Sequence, residues 1–268
     1  MKRLIRNTLA LCLGFGLAAS VGSTQAGDAM QGKLLKASEV IGAKIFDTDG
    51  EHRGEIKDLV FDENKGGIVY GVLSIGGWLG IGEDVTVVPW KEIKQSKSES
   101  PGFVVSNMDK TKLQGAPHFG NDSWPDFNGD WNNTTATYYG LQGDKLKGMK
   151  LVRASNVREA KLWNQSAEKI GSISDLLVAL HDGKIAYGIL EVGEWANQGD
   201  KLVAVPWELI RQSESASPGY VLNVEKSKLN PQTFFEKDTW PNYNDRAWNT
   251  QTYGYYNTSP YWDQPFVY

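Results

Sequence analysis

Ile68-Val69-Tyr70-Gly71-Val72-Leu73-Ser74-Ile75 decides the fold, and it returns 117 residues later as Ile185-Ala186-Tyr187-Gly188-Ile189-Leu190-Glu191-Val192. Within each copy, β-branched and aromatic residues alternate with the period of a strand. Both faces of that strand are apolar, where a half-exposed sheet would show polar residues at every second position. A strand buried on both faces in so short a module predicts a closed or nearly closed barrel.

The repeat extends well beyond this strand. Residues 34–102 align with 151–219 at a constant offset of 117 and without a gap, with roughly forty per cent identity. Leu34-Leu35-Lys36-Ala37-Ser38 answers Leu151-Val152-Arg153-Ala154-Ser155, and Val88-Pro89-Trp90 answers Val205-Pro206-Trp207. The flanks repeat after a one-residue slip, Asp122-Ser123-Trp124-Pro125 returning as Asp238-Thr239-Trp240-Pro241. Further strands are expected near Ala43 to Asp47, Glu55 to Phe61, Val85 to Val88 and Phe103 to Val105, with counterparts one repeat later. Asp47-Thr48-Asp49-Gly50 and Asn64-Lys65-Gly66-Gly67 supply turns, because Asp, Asn and Gly tolerate positive φ. Pro89-Trp90-Lys91-Glu92-Ile93 opens a short helical turn, Pro being acceptable at its start.

These expectations define an all-β chain of two tandem small β-barrels joined by a polar, aromatic-containing linker. The domains run 33–115 and 149–232, with the linker at 116–148 and an aromatic tail at 233–268. Asn132 to Asp144 and the final dozen residues read as flexible.

The first 26 residues read as a cleaved signal peptide: Lys2, Arg3 and Arg6 precede an apolar stretch from Leu9 to Ala19, and small residues lead to Thr24-Gln25-Ala26. The apolar stretch is short for a membrane span, which needs about 20 residues, so no transmembrane segment is expected after cleavage. Leu11 before Cys12, where a lipoprotein signal wants a small residue, argues against lipidation. Removing the signal removes the only cysteine and leaves 25 basic against 32 acidic residues, a net charge of −7. That balance excludes nucleic acid and anionic membrane surfaces as expected partners. An exported mature chain without cysteine must hold its core by packing alone. The expected location is the bacterial periplasm or the medium.

Leu-Leu-Lys-Ala-Ser, Gly42-Ala43-Lys44, Asp49-Gly50, Gly54-Glu55-Ile56, Asp58-Leu59-Val60, Gly76-Gly77-Trp78-Leu79-Gly80 and Val88-Pro89-Trp90 together resemble a PRC-barrel domain. The resemblance covers nearly all of the first module and, more loosely, the second. It implies a small β-barrel serving as a docking surface, with no catalytic residues to carry over.

Motifs that carry chemistry are weak. Asp47-x-Asp49-Gly50 opens like a calcium loop, but His52, Arg53 and Gly54 follow where ligands should, and Asn164, Ser166 and Ala167 replace it in the second copy. Gly76 to Gly82 lacks the Gly-Lys-Ser/Thr ending of a phosphate loop, and the second copy puts Glu194 in it. His52, His118 and His181 share no repeat position and no ligand spacing. Ser74 does not sit in a nucleophile elbow, and Glu191 replaces it. The sequence therefore nominates no catalytic residue, no metal ligand and no cofactor, and reads as non-enzymatic.

The remaining candidates are aromatic: Trp78 and Trp195 in the glycine-rich loops, and Trp124, Trp131, Trp240 and Trp248 in the flanks. Such rings either anchor each flank to its own barrel or form a surface for a partner. The favoured reading is an adaptor or scaffold whose two modules hold a protein partner, or each other, in the cell envelope. The alternative is a glycan- or peptidoglycan-binding protein using the tail aromatics. The divergence of Gly42 and Asp49-Gly50 to Glu159 and Ser166-Ala167 further suggests that one module binds while the other supports it.

Overall fold

Strand-period residues form strands at the expected places in the computed structural model, which describes residues 32–75, 85–97, 99–106, 109–192, 201–213, 219–229, 233–264 and 266. The first module comprises β1 (Leu34–Lys36), α1 (Ala37–Val40), β2 (Lys44–Phe46), β3 (His52–Asp62), β4 (Ile68–Ser74), β5 (Val85–Pro89), β6 (Ile93–Gln95) and β7 (Gly102–Val105). Its flank adds α2 (Lys110–Gly115), β8 (His118–Phe119), α3 (Asp130–Tyr138) and α4 (Gly143–Leu146). The second module repeats the plan with β9 (Leu151–Arg153), α5 (Ala154–Val157), β10 (Lys161–Trp163), β11 (Lys169–Ala179), β12 (Lys184–Glu191), β13 (Leu202–Pro206), β14 (Ile210–Gln212) and β15 (Gly219–Leu222). Its flank carries β16 (Phe234–Phe235) and, as the counterpart of α3, α6 (Arg246–Tyr256). Single 3₁₀ turns follow β5 and β13 at Trp90–Glu92 and Trp207–Leu209, as the Pro-Trp pairs predict.

The chain is mostly β, in two eight-stranded sheets of identical plan. The hydrogen-bonded order is β6-β7-β2-β3-β4-β5-β8 in one and β14-β15-β10-β11-β12-β13-β16 in the other. Each is an open path among the described residues, so two self-contained closed barrels are not what forms. The eighth strand of each sheet comes from the other module. β1 pairs antiparallel with β11, Lys36 opposite Leu177, and β9 pairs with β3, Arg153 opposite Val60. The two modules exchange their first strands.

The expectation of barrel closure rested on the two apolar faces of β4, and the structure explains both faces differently. Ile68 and Leu73 enter a core shared by the two modules, together with Phe61, Phe103, Leu162, Leu176 and Tyr220. Val69, Tyr70 and Val72 face the opposite way, where Phe127, Ala136, Tyr139 and partly buried Trp131 cover them. The second module does the same with Tyr187 and Ile189 beneath Tyr253, Tyr261 and Trp248. The flank supplies the cover that a closed barrel would otherwise give.

For the same reason the linker and tail are not the flexible segments their polarity suggests. Residues 130–138 and 246–256 are helical, and the final dozen includes buried Tyr261 in a 3₁₀ turn. Among the described residues no helix is long and apolar enough to cross a membrane.

The hairpin tips also meet. The Ile68 amide donates to the Gly183 carbonyl and the Ile185 amide to the Gly66 carbonyl, both at 2.7 Å. Gly66 and Gly183 have φ of 73° and 60°, and a Cβ there would lie 2.8 and 2.7 Å from the Trp207 and Trp90 rings of the opposite module. Glycine is needed twice over, for the turn and for the tryptophan above it.

Candidate functional site

The buried carboxylates of the described core lie where the modules join. Ser155, just after β9, donates through its backbone N–H to Asp58 Oδ1 at 3.1 Å, and its hydroxyl bonds Asp58 Oδ2. Ser38, just after β1, repeats this on Asp175 at 3.3 and 2.5 Å. A buried carboxylate needs donors, and each receives them from the exchanged segment of the other module. Burial pushes the Asp58 carboxyl up, against the lowering effect of its hydrogen bonds from Ser155 and the Leu59 amide. Glu63 accepts from the Tyr220 hydroxyl at 2.5 Å and pairs with Lys150 at 3.1 Å, while its backbone carbonyl takes the Trp207 indole N–H at 3.0 Å. Asp62 accepts from the Lys150 amide at 3.3 Å. Asp58, Asp62, Glu63 and Asp175 are the buried carboxylates among the described residues, and every one bridges the modules.

Around this joint the aromatic flanks act as clasps on the exchanged strands. The Leu151 amide donates to Asn128 Oδ1 at 2.7 Å and Asn128 Nδ2 donates to the Leu151 carbonyl at 3.0 Å. Asn244 makes the same two bonds with Leu34, at 2.7 and 3.3 Å. β9 and β1 each have one neighbouring strand, so an asparagine amide completes the other edge. Just upstream, Trp124 stacks under the Arg153 guanidinium at 4.2 Å and Trp240 under the Lys36 ammonium at 3.8 Å. Both cations belong to the exchanged strands. Trp124-Pro125-Asp126-Phe127-Asn128 and Trp240-Pro241-Asn242-Tyr243-Asn244 are thus one device used twice.

The helices lock this cover down. Tyr70 and Tyr187 donate their hydroxyls to Asn132 and Asn249, each at 2.8 Å. Tyr138 and Tyr255 reach back to the Lys112 and Lys228 carbonyls at 2.5 and 2.7 Å. The repeated pattern behind these bonds is Trp-Asn-x-x-Thr-x-x-Tyr-Tyr, at 131–139 and 248–256, again at an offset of 117. Reading 132–144 as linker by composition missed it, although the pattern stands in the sequence beyond the one-residue slip.

Among the sequence candidates, Trp124, Trp131, Trp240 and Trp248 all lie in these covers, partly buried. Trp131 meets Phe119 and Phe127 edge to face, with centroids 5.5 Å apart in each pair, and Trp248 packs on Tyr187 at 5.5 Å. Trp78 and Trp195 lie outside the described residues. Asp47 forms a turn: its Oδ1 accepts from the Asp49 and Glu51 amides and its Oδ2 pairs with Arg53. Desolvation acts to raise the Asp47 carboxyl, but these amides and Arg53 outweigh it and hold the group low. Asn164 accepts from the Ser166 and Glu168 amides in the same way, so both copies use this side chain to hold a turn. Among the described residues no three His, Cys, Asp or Glu side chains converge as metal ligands.

No curated protein matches the chain. The model of the PRC-barrel domain matches it twice, over residues 33–112 and 149–225, each match beginning at an exchanged strand. With more than half of the sequence matched, the chain belongs to the PRC-barrel domain family, as two such domains in tandem.

Proposed function

We propose that this protein is a non-enzymatic, exported adaptor or scaffold of the cell envelope, engaging a protein partner through a rigid pair of PRC-barrel domains. One observation carries the reading: the buried carboxylates of the described core are all committed to joining the modules. Acidic groups held by serine, tyrosine and backbone donors are spent on architecture, which suits a docking body. The basic, apolar N-terminal sequence supports export.

The two modules hold each other, so any partner meets them at a fixed spacing. Avidity then depends on whether the partner's own sites match that spacing, with no flexible linker to search for them. Interlocking also changes how unequal module roles are tested, because deleting one module removes a strand from the other. Substitutions confined to one module's surface replace deletions for that purpose.

Glycan stacking requires an open ring face. The cations over Trp124 and Trp240 and the rings around Trp131 and Trp248 favour a protein partner instead. Affinity purification of the tagged protein from its own envelope, followed by mass spectrometry, tests the proposal. A reproducible protein partner, lost when surface residues of one module are changed and the fold is kept, supports it. Recovery with cell-wall glycan alone overturns it in favour of a glycan binder.

A further inference from the structure

The reciprocal joint is broken at one place, and there the repeat leaves a cavity. On one side of the joint Tyr220 reaches across to Glu63, and Lys150 neutralises that carboxylate. The residues at the same repeat positions on the other side are Phe103, Leu180 and Lys33. Phenylalanine has no hydroxyl to extend and leucine no carboxylate to meet it, and a cavity of about 350 Å³ opens between the modules. This lies at the small end of ligand pockets, roughly 300–1,000 Å³. Ile68, Trp90, Ile93, Phe103 and Leu180 give it apolar walls.

Its polar groups have a sign. Lys33, Lys91 and Lys94 line it, in a chain whose overall charge is negative, and Lys91 stands where the other side has Glu208. Asp182 lines it too, and Asp182 Oδ2 is buried without a hydrogen-bond partner among the described residues. Such an oxygen requires a donor. Phe266 closes one wall, its ring lying where a Cβ on Gly67 would fall.

We propose that this cavity is a binding site for a small organic acid with an apolar body and one hydrogen-bond donor: the body against Trp90 and Phe103, the carboxylate toward the lysines, the donor on Asp182. The site goes beyond the adaptor reading and stands or falls independently of it.

The test is calorimetric titration of the full mature protein with 3-phenyllactate, with the fluorescence of the wild type and of Trp90→Phe compared in parallel. The expected result is saturable binding at one site per chain. 3-Phenylpropionate, which forfeits the hydrogen bond to Asp182, and 3-phenyllactamide, which forfeits the charge pairing with the lysines, should each bind about tenfold more weakly. Phe103→Tyr with Leu180→Glu copies the filled side into the cavity and should abolish binding. Lys33→Gln with Lys94→Gln alters only exposed side chains, keeps the test valid if the first pair fails to fold, and should weaken phenyllactate about tenfold while leaving the amide unchanged. No saturable binding by the wild type, or unchanged binding after either pair of substitutions in folded protein, overturns the proposal.

Discussion

Replacing Asn128 with alanine removes one side chain and two hydrogen bonds, and the cost follows from where those bonds lie. Leu151 is 4 % exposed and sits at the start of the exchanged strand β9. The Glu63 amide bonds the Lys150 carbonyl at 2.8 Å, so the alternation of an antiparallel ladder points the Leu151 amide and carbonyl away from β3, toward Asn128. A hydrogen bond contributes about 1 kcal/mol net, and a buried group left unpaired costs about 1–3 kcal/mol. Water can reach part of this edge, because Asn128 is itself exposed. Asn128→Ala is therefore expected to destabilise by about 2 kcal/mol, which at this chain length lowers Tm by roughly 4–8 °C. Differential scanning calorimetry measures the shift, and hydrogen exchange at the Leu151 amide should accelerate in the same variant. Asn133→Ala, an exposed position on the adjoining helix, is the control and should shift Tm by no more than about 1 °C. An Asn128→Ala protein that melts with that control would refute the clasp.

The second copy makes the same demand: Asn244→Ala should lose a similar amount through Leu34, read by the same calorimetry. Tyr70→Phe and Tyr187→Phe each delete a 2.8 Å bond to a buried asparagine and should cost about 1–2 kcal/mol in denaturant unfolding, with no change in m-value. Asp58 gives a pH dependence with a definite sign. Its folded-state carboxyl titrates above its unfolded value, so its contribution to stability is complete below the unfolded pKa and is lost as pH rises through the folded one. Wild type should therefore gain stability relative to Asp58→Asn on going from pH 7 to about pH 4; a wild type that loses ground over that range contradicts the assignment.

Much of the architecture is legible in the sequence because a strand announces itself locally. β4 and β12 follow from period-2 alternation, the turns from Asp47-x-x-Gly50 and Asn64-x-Gly66-Gly67, and the 3₁₀ turns from Pro89-Trp90 and Pro206-Trp207. What is not local is hidden. Leu34-Leu35-Lys36 has the same pattern whether it pairs with β3 or with β11, so no periodicity reveals the exchange. Its trace is only Ala-Ser after each first strand and Asp58 and Asp175 waiting in the middle of each long one. The helices α3 and α6 escape because their buried positions are Asn132, Thr135 and Ala136 in one and Asn249, Tyr253 and Tyr256 in the other, which make no apolar stripe; the asparagines bond the sheet's tyrosines and Tyr253 the Ala186 carbonyl. At β4 two apolar faces mean two covers rather than a closed barrel, and the second cover is a flank whose polarity disguises it. The flank tryptophans Trp124, Trp131, Trp240 and Trp248 pack into the covers, and Trp124 and Trp240 also meet cations of the exchanged strands.

The measurement that bears most directly on the account is cleavage between the modules. A protease site placed at the exposed residues 142–144 would cut the chain while leaving both exchanged strands paired. If the modules hold each other as described, the two halves co-elute as one native species on size exclusion and melt in a single transition until denaturant separates them. Halves that part without denaturant, each folded by itself, would contradict the exchange and with it the rigid pair on which the proposed function rests.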